Sequence, residues 1–352
     1  MNILAIETSC DETSVAIVED GHKIHSLVVN SQIDLHRAFG GVVPEIAARS
    51  HIEVMIPVVE QALAEAAMSW EEIDAIAVTQ GPGLLGALLI GVLTARTLAW
   101  SFNKPLYAVH HILGHIYANW ITEGPTYKTP YPLAQPVFPI LALVVSGNHC
   151  QIMTATNHTD WRVLGRANDD AVGEAFDKAA KVLGLPYPGG PSIENAAQSG
   201  NTQAYPLPLP KTAEPYDFSF SGLKTAFLRA VQKECGKTHE FPSFELAALL
   251  SDAQKADFAA SFQSTAVKYL ISKTKQAFDE ANPKTVIIGG GVAASPALRT
   301  ALQETLPLEI TYAPQILCTD NAVMIAARAY FQSKYEAPID PRTLEAKPSW
   351  PL

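Results

Sequence analysis

One plan of buried strands and polar turns occurs twice in this chain, and it limits the possible folds more than any other feature. "NILAIETSCDETSVAIVEDG" from residue 2 reads as a strand, a polar turn and a second strand ending at a glycine. "PILALVVSGNHCQIMTATN" from residue 139 repeats it, with "ILAI" at 3–6 matched by "ILAL" at 140–143. Each first strand is an uninterrupted apolar run, the pattern of a strand buried on both faces. A second pair follows in the same order. "IDAIAVTQGPGLLGALLIGV" at 73–92 and "KTVIIGGGVAASPALRTAL" at 284–302 both read as strand, Gly-rich turn and helix. Self-similarity on this scale predicts two related α/β lobes, since solenoid repeats are far shorter.

The 352 residues suit two cores better than one. The lobes are expected at 1–125 and 139–335, with the last helix, near 320–332, packing back onto the first lobe. The Pro-rich stretch 126–138 would be the crossing between them, and 336–352 a loosely ordered tail without periodicity. Four scattered cysteines (Cys10, Cys150, Cys235, Cys318) with no C-x-x-C fit a reducing compartment. The N-terminus lacks the long apolar run of a signal peptide, and the most apolar stretch, 84–100, contains Arg96 and is short for a membrane span. The expectation is a cytoplasmic protein with no membrane contact. A net charge of −10 argues against a broad basic surface for nucleic acid.

Chemistry gathers at four places. The turns "ETSCDET" (7–13) and "SGNHC" (146–150) offer backbone N–H groups that can cradle an anion. An ordinary hairpin also favours such residues, but their recurrence at equivalent places favours a ligand. Asp11 and Glu12 add carboxylates suited to metal, proton or hydroxyl contacts. The Gly-rich turns at 80–86 and 289–295 fit neither G-x-G-x-x-G nor the P-loop, and each alone could simply be tight packing. Asp169, Asp170, Glu174 and Asp177 crowd the start of a helix and read as an acidic wall facing a ligand, followed by the "YPGGP" turn in which Gly190 presents bare backbone.

The fourth place is "HHILGHIYANW" (110–120), where His111 and His115 lie one helical turn apart and could share a metal ion. Metallopeptidases of the H-E-x-x-H type carry their general base after the first histidine, and here that position is Ile112, which argues against peptidase chemistry. Asp320, just before a helical pattern, is either an N-cap or the carboxylate that completes a two-His, one-carboxylate set. His110 points away from the pair and reads as structural.

Taken together, "AIETSCDETSVAIV", "GGVVPEIAARSH", "GPGLLGALLIGV", H-x-x-x-H, "DDAVGEAFDKAAKVLGLPYPGGP", "FSFSGLKTAF", "GGGVAAS" and "CTDNAVMIA" resemble the TsaD (Gcp) family, tRNA N6-adenosine threonylcarbamoyltransferases, over about residues 1–335. The resemblance implies the two-lobed fold of actin, Hsp70 and sugar kinases (the ASKHA, RNase H-like class), with a ligand cleft between the lobes. It implies one divalent metal ion, Fe2+ or Zn2+, on His111, His115 and Asp320. It implies a nucleotide ligand, ATP/ADP or threonylcarbamoyl-AMP, on Val144, Val145, Ser146, Gly147, Asn148, Asp177, Gly190, Glu194 and Ser295. Asp11 and Glu12 match the family's acidic turn near the metal. The chain departs from the usual pattern at Asn148 (commonly Gly), Ser295 (commonly Asn) and Glu194 (commonly Asp or Ser).

The implied activity is transfer of threonylcarbamoyl from its adenylate to N6 of adenosine 37 in tRNAs reading A-starting codons, with Asp11, or Glu12 as substitute, accepting the amine proton. The implied partners are tRNA, a paralogous TsaB-type subunit, a TsaE-type ATPase and an upstream adenylate-forming enzyme. Helix 53–68 offers a face for a partner, and Arg37, Arg49 and His51 a small basic patch for RNA. A small-molecule kinase of the same fold and a non-catalytic scaffold are the alternatives. The first has no need of the histidine pair, and the second should have lost the metal ligands.

Overall fold

The computed structural model describes residues 1–124 and 135–352. The Pro-rich crossing expected over 126–138 lies outside the described residues as far as 134. Two compact units are present. The first comprises Met1–Val137, Ala155–Trp161 and Thr311–Leu352, and the second Phe138–Thr154 and Arg162–Ile310.

The first unit is built on a sheet of β1 (Asn2–Glu7), β2 (Glu12–Glu19), β3 (Lys23–Ser31), β4 (Ala75–Gly81) and β5 (Leu106–His110), in the order β3-β2-β1-β4-β5. β1 and β2 are antiparallel, as are β2 and β3, whereas β4 runs parallel to both β1 and β5. Central β1 and β4 are buried almost end to end, while edge β3 alternates between core and solvent before running out exposed. Helices Pro44–Ala66 and Leu85–Ser101 cover one face. Met55, Val58, Val59, Val92 and Ala95 pack there against Leu4, Ile6, Ile17, Ile76 and Val78. Helix Ala322–Gln332, buried from Ala322 to Ala329, packs on β1 and β2. Its start is pinned by Ser14 Oγ, which accepts from Ala322 N at 3.0 Å and donates to Val28 O at 3.0 Å.

The sheet of the second unit contains β6 (Ile140–Val145), β7 (Cys150–Ala155), β8 (Trp161–Arg166), β9 (Thr285–Gly289) and β10 (Ile310–Tyr312). Its order, β10-β9-β6-β7-β8, is the order of the first sheet with β6 in the place of β1 and β9 in the place of β4. β6 and β9 are parallel, as β1 and β4 are. The duplication expected from "ILAI" and "ILAL" is thus a duplication of sheet topology.

The tail differs from its expectation as a loose segment. Ile339 N donates to Leu106 O at 2.9 Å, Lys347 N to Gln80 O at 2.7 Å and Gly83 N to Pro348 O at 3.1 Å. Arg96 holds the carbonyls of Pro341 and Arg342, and Leu344 is fully buried in the first core. Gly81 is what permits the approach, since a Cβ there would stand 1.8 Å from Lys347 O. The tail is an extended strap held largely by backbone bonds to other elements. Its prolines break any ladder of its own, so no hydrophobic period marks it.

Candidate functional site

In the first unit β5 ends at His110 and the chain turns directly into helix His111–Tyr117. His110 caps that helix: its Nδ1 accepts from Ile112 N at 3.2 Å, and its Nε2 donates to Trp350 O at 2.8 Å. Burial pulls its pKa down to about 4, so it is a neutral structural imidazole, as expected. His111 and His115 follow one turn apart, both buried, with ring centroids 4.7 Å apart. Asp320 does not cap the helix that follows it. Asn321 does, its side chain accepting from Met324 N at 3.1 Å. The Asp320 carboxylate instead lies 3.2 Å from His115 Nε2 and 3.6 Å from His111 Nε2.

One ligand atom from each of His111, His115 and Asp320 fits within 4.8 Å of the others. Among the described residues, both ring nitrogens of His115 are buried without a hydrogen-bond partner; its short approach to Asp320 is not directed as a hydrogen bond. A buried imidazole with no hydrogen bond is costly unless something else satisfies it. Two imidazole nitrogens and one carboxylate are a donor set for a borderline divalent ion such as Fe2+ or Zn2+. The residues present fit the metal.

The acidic turn lies close to this group. Glu12 opens β2, half-buried, and its Oε1 accepts from Ser31 Oγ at 3.1 Å. Burial raises its carboxyl well above the ordinary range, and the charges of Asp11 and Asp320 add to the effect. The Cys10 thiol is raised by burial and by the same two carboxylates. Glu7, which the sequence reading passed over, is wholly buried. Burial pushes its carboxyl up, but His111 beside it outweighs that and holds it below the usual range. In the metal-free protein burial would depress His111, yet Glu7 and Asp320 raise it to about 9.

His51 is also buried, which corrects its place in a basic patch. Its Nε2 donates to Cys10 O at 3.0 Å, while Nδ1 accepts from Thr13 Oγ1 at 2.7 Å. Burial lowers its pKa, so it is a neutral brace of the acidic turn and supplies no charge to RNA. Arg37 and Arg49 are exposed, and Arg37 pairs with Asp34 at 2.9 Å.

In the second unit Val144 and Val145 end β6, and Ser146–His149 turn back, with Ser146 N donating to His149 O at 2.8 Å. Gly147 and Asn148 are exposed at the tip. The turn rests on the start of helix Val172–Leu183, where Glu174 N donates to Gly147 O at 3.0 Å. The Gly-rich turn after β9 lies against the same strand end. Gly290 has φ +90°, and a Cβ on it would meet Val145 O at 2.3 Å. Asp177 Oδ1 accepts from Gly189 N at 2.6 Å and so fixes the turn that leads to Gly190, around which there is open space. Glu194 Oε1 accepts from Ser295 Oγ at 3.3 Å, and Ser295 caps helix Pro296–Thr305. The end of β6 therefore meets the Gly290 turn, Asp177 meets the start of helix Gly189–Ala197, where Gly190 is the second residue and not part of the expected turn, and Glu194 meets Ser295.

The rest of the acidic wall has another role. Asp170 is paired with Lys178 and Lys224, Glu174 with Lys178, and Asp169 accepts from Ser219 Oγ and Phe220 N. These carboxylates tie helix Val172–Leu183 to the start of helix Ser221–Glu234, so the reading of the whole block as a ligand-facing wall is corrected.

The family whose model matches residues 23–327 is described as TsaD, tRNA N6-adenosine threonylcarbamoyltransferase. The chain belongs to the TsaD family. A relative with that name from Thermomicrobium roseum is 47% identical over 338 residues, covering 94% of this chain and 92% of its own. Another from Bacillus subtilis is 46% identical over 334 residues, covering 93% and 89%. Among solved structures, T. kodakarensis HypF superposes with a TM-score of 0.59 at 12% identity, over 94% of this chain and 48% of that one. The activator of the 2-hydroxyisocaproyl-CoA dehydratase from Clostridium difficile does so with a TM-score of 0.50 at 13% identity, over 95% and 96%. At such identities these two speak for the fold alone. That fold is the actin, Hsp70 and sugar-kinase type expected for this TsaD chain, with two α/β lobes.

Proposed function

We propose that this chain transfers the threonylcarbamoyl group of threonylcarbamoyl-AMP to N6 of adenosine 37 in tRNAs reading A-starting codons, as an acyltransferase. The observation that carries the reading is the buried His111–His115–Asp320 group beside an acidic turn, in a chain of this family. An exocyclic amine is a weak nucleophile, so the carbonyl it attacks must be polarised and held. His111, His115 and Asp320 would hold one divalent ion, Fe2+ or Zn2+, which when bound would supply Lewis acidity.

The remaining steps belong to the chain itself. N6 attacks the carbamoyl carbon, the new C–N bond forms, and the bond from that carbon to the phosphate oxygen breaks, releasing AMP. Asp11, or Glu12 in its place, takes the proton that N6 loses. In the second unit Val144, Val145, Ser146, Gly147 and Asn148 receive the phosphate of the adenylate on their turn, or of ATP/ADP in other states. Asp177, Gly190, Glu194 and Ser295 complete the nucleotide contacts, with the Asn148 side chain added at the turn and the shorter Ser295 at its edge.

The partners are those that membership of the family implies. An adenylate-forming enzyme must supply the donor, and a TsaE-type ATPase serves the cycle. A paralogous TsaB-type subunit docks on the helix pair of the first unit, where Ile52, Ile56, Leu85, Leu89 and Leu93 are exposed in register along Pro44–Ala66 and Leu85–Ser101. Met55, Val58, Val59 and Ala62 of the same first helix are core. Among the described residues no helix is long and apolar enough to cross a membrane. We assign the chain to the cytoplasm, with its tRNA substrate. The metal reading is tested by elemental analysis: wild-type protein should carry about one equivalent of metal per chain and His111→Ala/His115→Ala none. Equal metal content in the two would overturn it.

A further inference from the structure

We infer that Glu7 is a positioning residue for His111, holding the imidazole with Nδ1 protonated so that Nε2 presents its lone pair toward His115 and Asp320. The inference rests on the metal reading above and concerns a residue outside the ligand set. Glu7 is the last residue of β1 and is 0% exposed. A buried carboxylate must be saturated with donors, and all of its donors are local. Oε1 accepts from Ser9 N at 2.5 Å. Oε2 accepts from Thr79 Oγ1 at 2.5 Å and from His111 Nδ1 at 3.1 Å. Among the described residues no lysine or arginine stands within ion-pair distance of it.

These contacts join three elements. Thr79 lies on β4, Ser9 in the turn after β1, and His111 at the first position of its helix. With both oxygens of Glu7 held from the backbone and from β4, its carboxylate plane is fixed, and so is the acceptor that His111 must face. Ser9 Oγ, 3.2 Å from the same Nδ1, can donate or accept and therefore cannot select a tautomer. An ionised carboxylate only accepts. It requires a proton on Nδ1, and a neutral ring with its proton there has Nε2 bare. The opposite tautomer would direct an N–H at Asp320 and His115, and the ring could not act as a ligand.

Charge points the same way. Glu7 behind the ring adds a negative charge on the far side of a metal ligand, which strengthens the imidazole as a donor to a dication.

The test uses the full-length chain without partners, stripped of metal, with Zn2+ and Co2+ titrated against a chromophoric chelator. Glu7→Gln keeps shape and removes charge, and should weaken Zn2+ binding by about 10–100-fold and shift the visible Co2+ absorption. Thr79→Val, which frees the carboxylate to turn, should lower affinity in the same direction by less. Glu7→Gln that folds, binds Zn2+ within about twofold of wild type and leaves the Co2+ spectrum unchanged would overturn the inference while leaving the metal site standing. If Glu7→Gln does not fold, Thr79→Val decides, and unchanged affinity and spectrum there count against the role. Wild-type protein that takes up neither ion would overturn the metal reading and this inference with it.

Discussion

His111 sits between two carboxylates, Glu7 behind the ring and Asp320 in front of it. In the metal-free protein that arrangement keeps a proton on the ring up to about pH 9, and a metal ion must displace that proton. Metal affinity should therefore rise by about tenfold per pH unit as pH climbs toward 9 and level off above it, as a competition titration across that range would record. A flat profile would mean that His111 is not a ligand. The spacing of His111 and His115 makes their pairing legible in sequence, because a helix puts i and i+4 on one face. Asp320 was legible only with the family's help, since nothing local separates a metal carboxylate from an N-cap. Asn321 next to it takes the cap, and that choice is made by side-chain geometry. His51 was misplaced for a similar reason. A histidine beside arginines in sequence looks basic, and only the fold shows it buried against Cys10 O and Thr13.

At the level of elements, two glycines of the second unit should respond in opposite ways. Gly290, in a left-handed conformation and against Val145 O, cannot accept a side chain without displacing the end of β6. Gly290→Ala should lower stability by more than about 2 kcal/mol, read from denaturant unfolding, and weaken nucleotide binding along with it. Among the described residues, nothing stands within 4 Å of where a Cβ on Gly190 would lie. Gly190→Tyr should leave unfolding close to wild type and still abolish nucleotide binding, measured by calorimetry with ATP or AMP. Retained binding in that variant would remove Gly190 from the site. The strand–turn–helix plan around Gly290 was readable because buried strands and Gly-rich turns leave strong local signals. The strap at 339–350 was not, because its order comes from carbonyls and amides of Leu106, Gln80 and Gly83, which no periodicity within the strap encodes. The pairing of Asp169, Asp170 and Glu174 was not legible for the same reason: their partners include Lys224 and Ser219, far along the chain.

For the whole molecule, duplication and charge set the terms. Two sheets with one strand order follow from two repeats of one plan, and that much of the fold is written in the sequence. A net charge of −10 means the isolated chain supplies few cations for displacing the counterions of RNA. At physiological salt it should bind tRNA weakly alone and modify it only with partners. Tight binding by the chain alone would contradict that. The transfer itself is read out by nucleoside mass spectrometry. Unmodified tRNA is incubated with ATP, threonine, bicarbonate, the chain and the other components of the pathway, then digested to nucleosides. Wild-type protein should give N6-threonylcarbamoyladenosine, His111→Ala/His115→Ala none, and Asp11→Asn/Glu12→Gln a large loss. No modified adenosine with wild-type protein, in a mixture where the Bacillus subtilis relative produces it, would contradict the account.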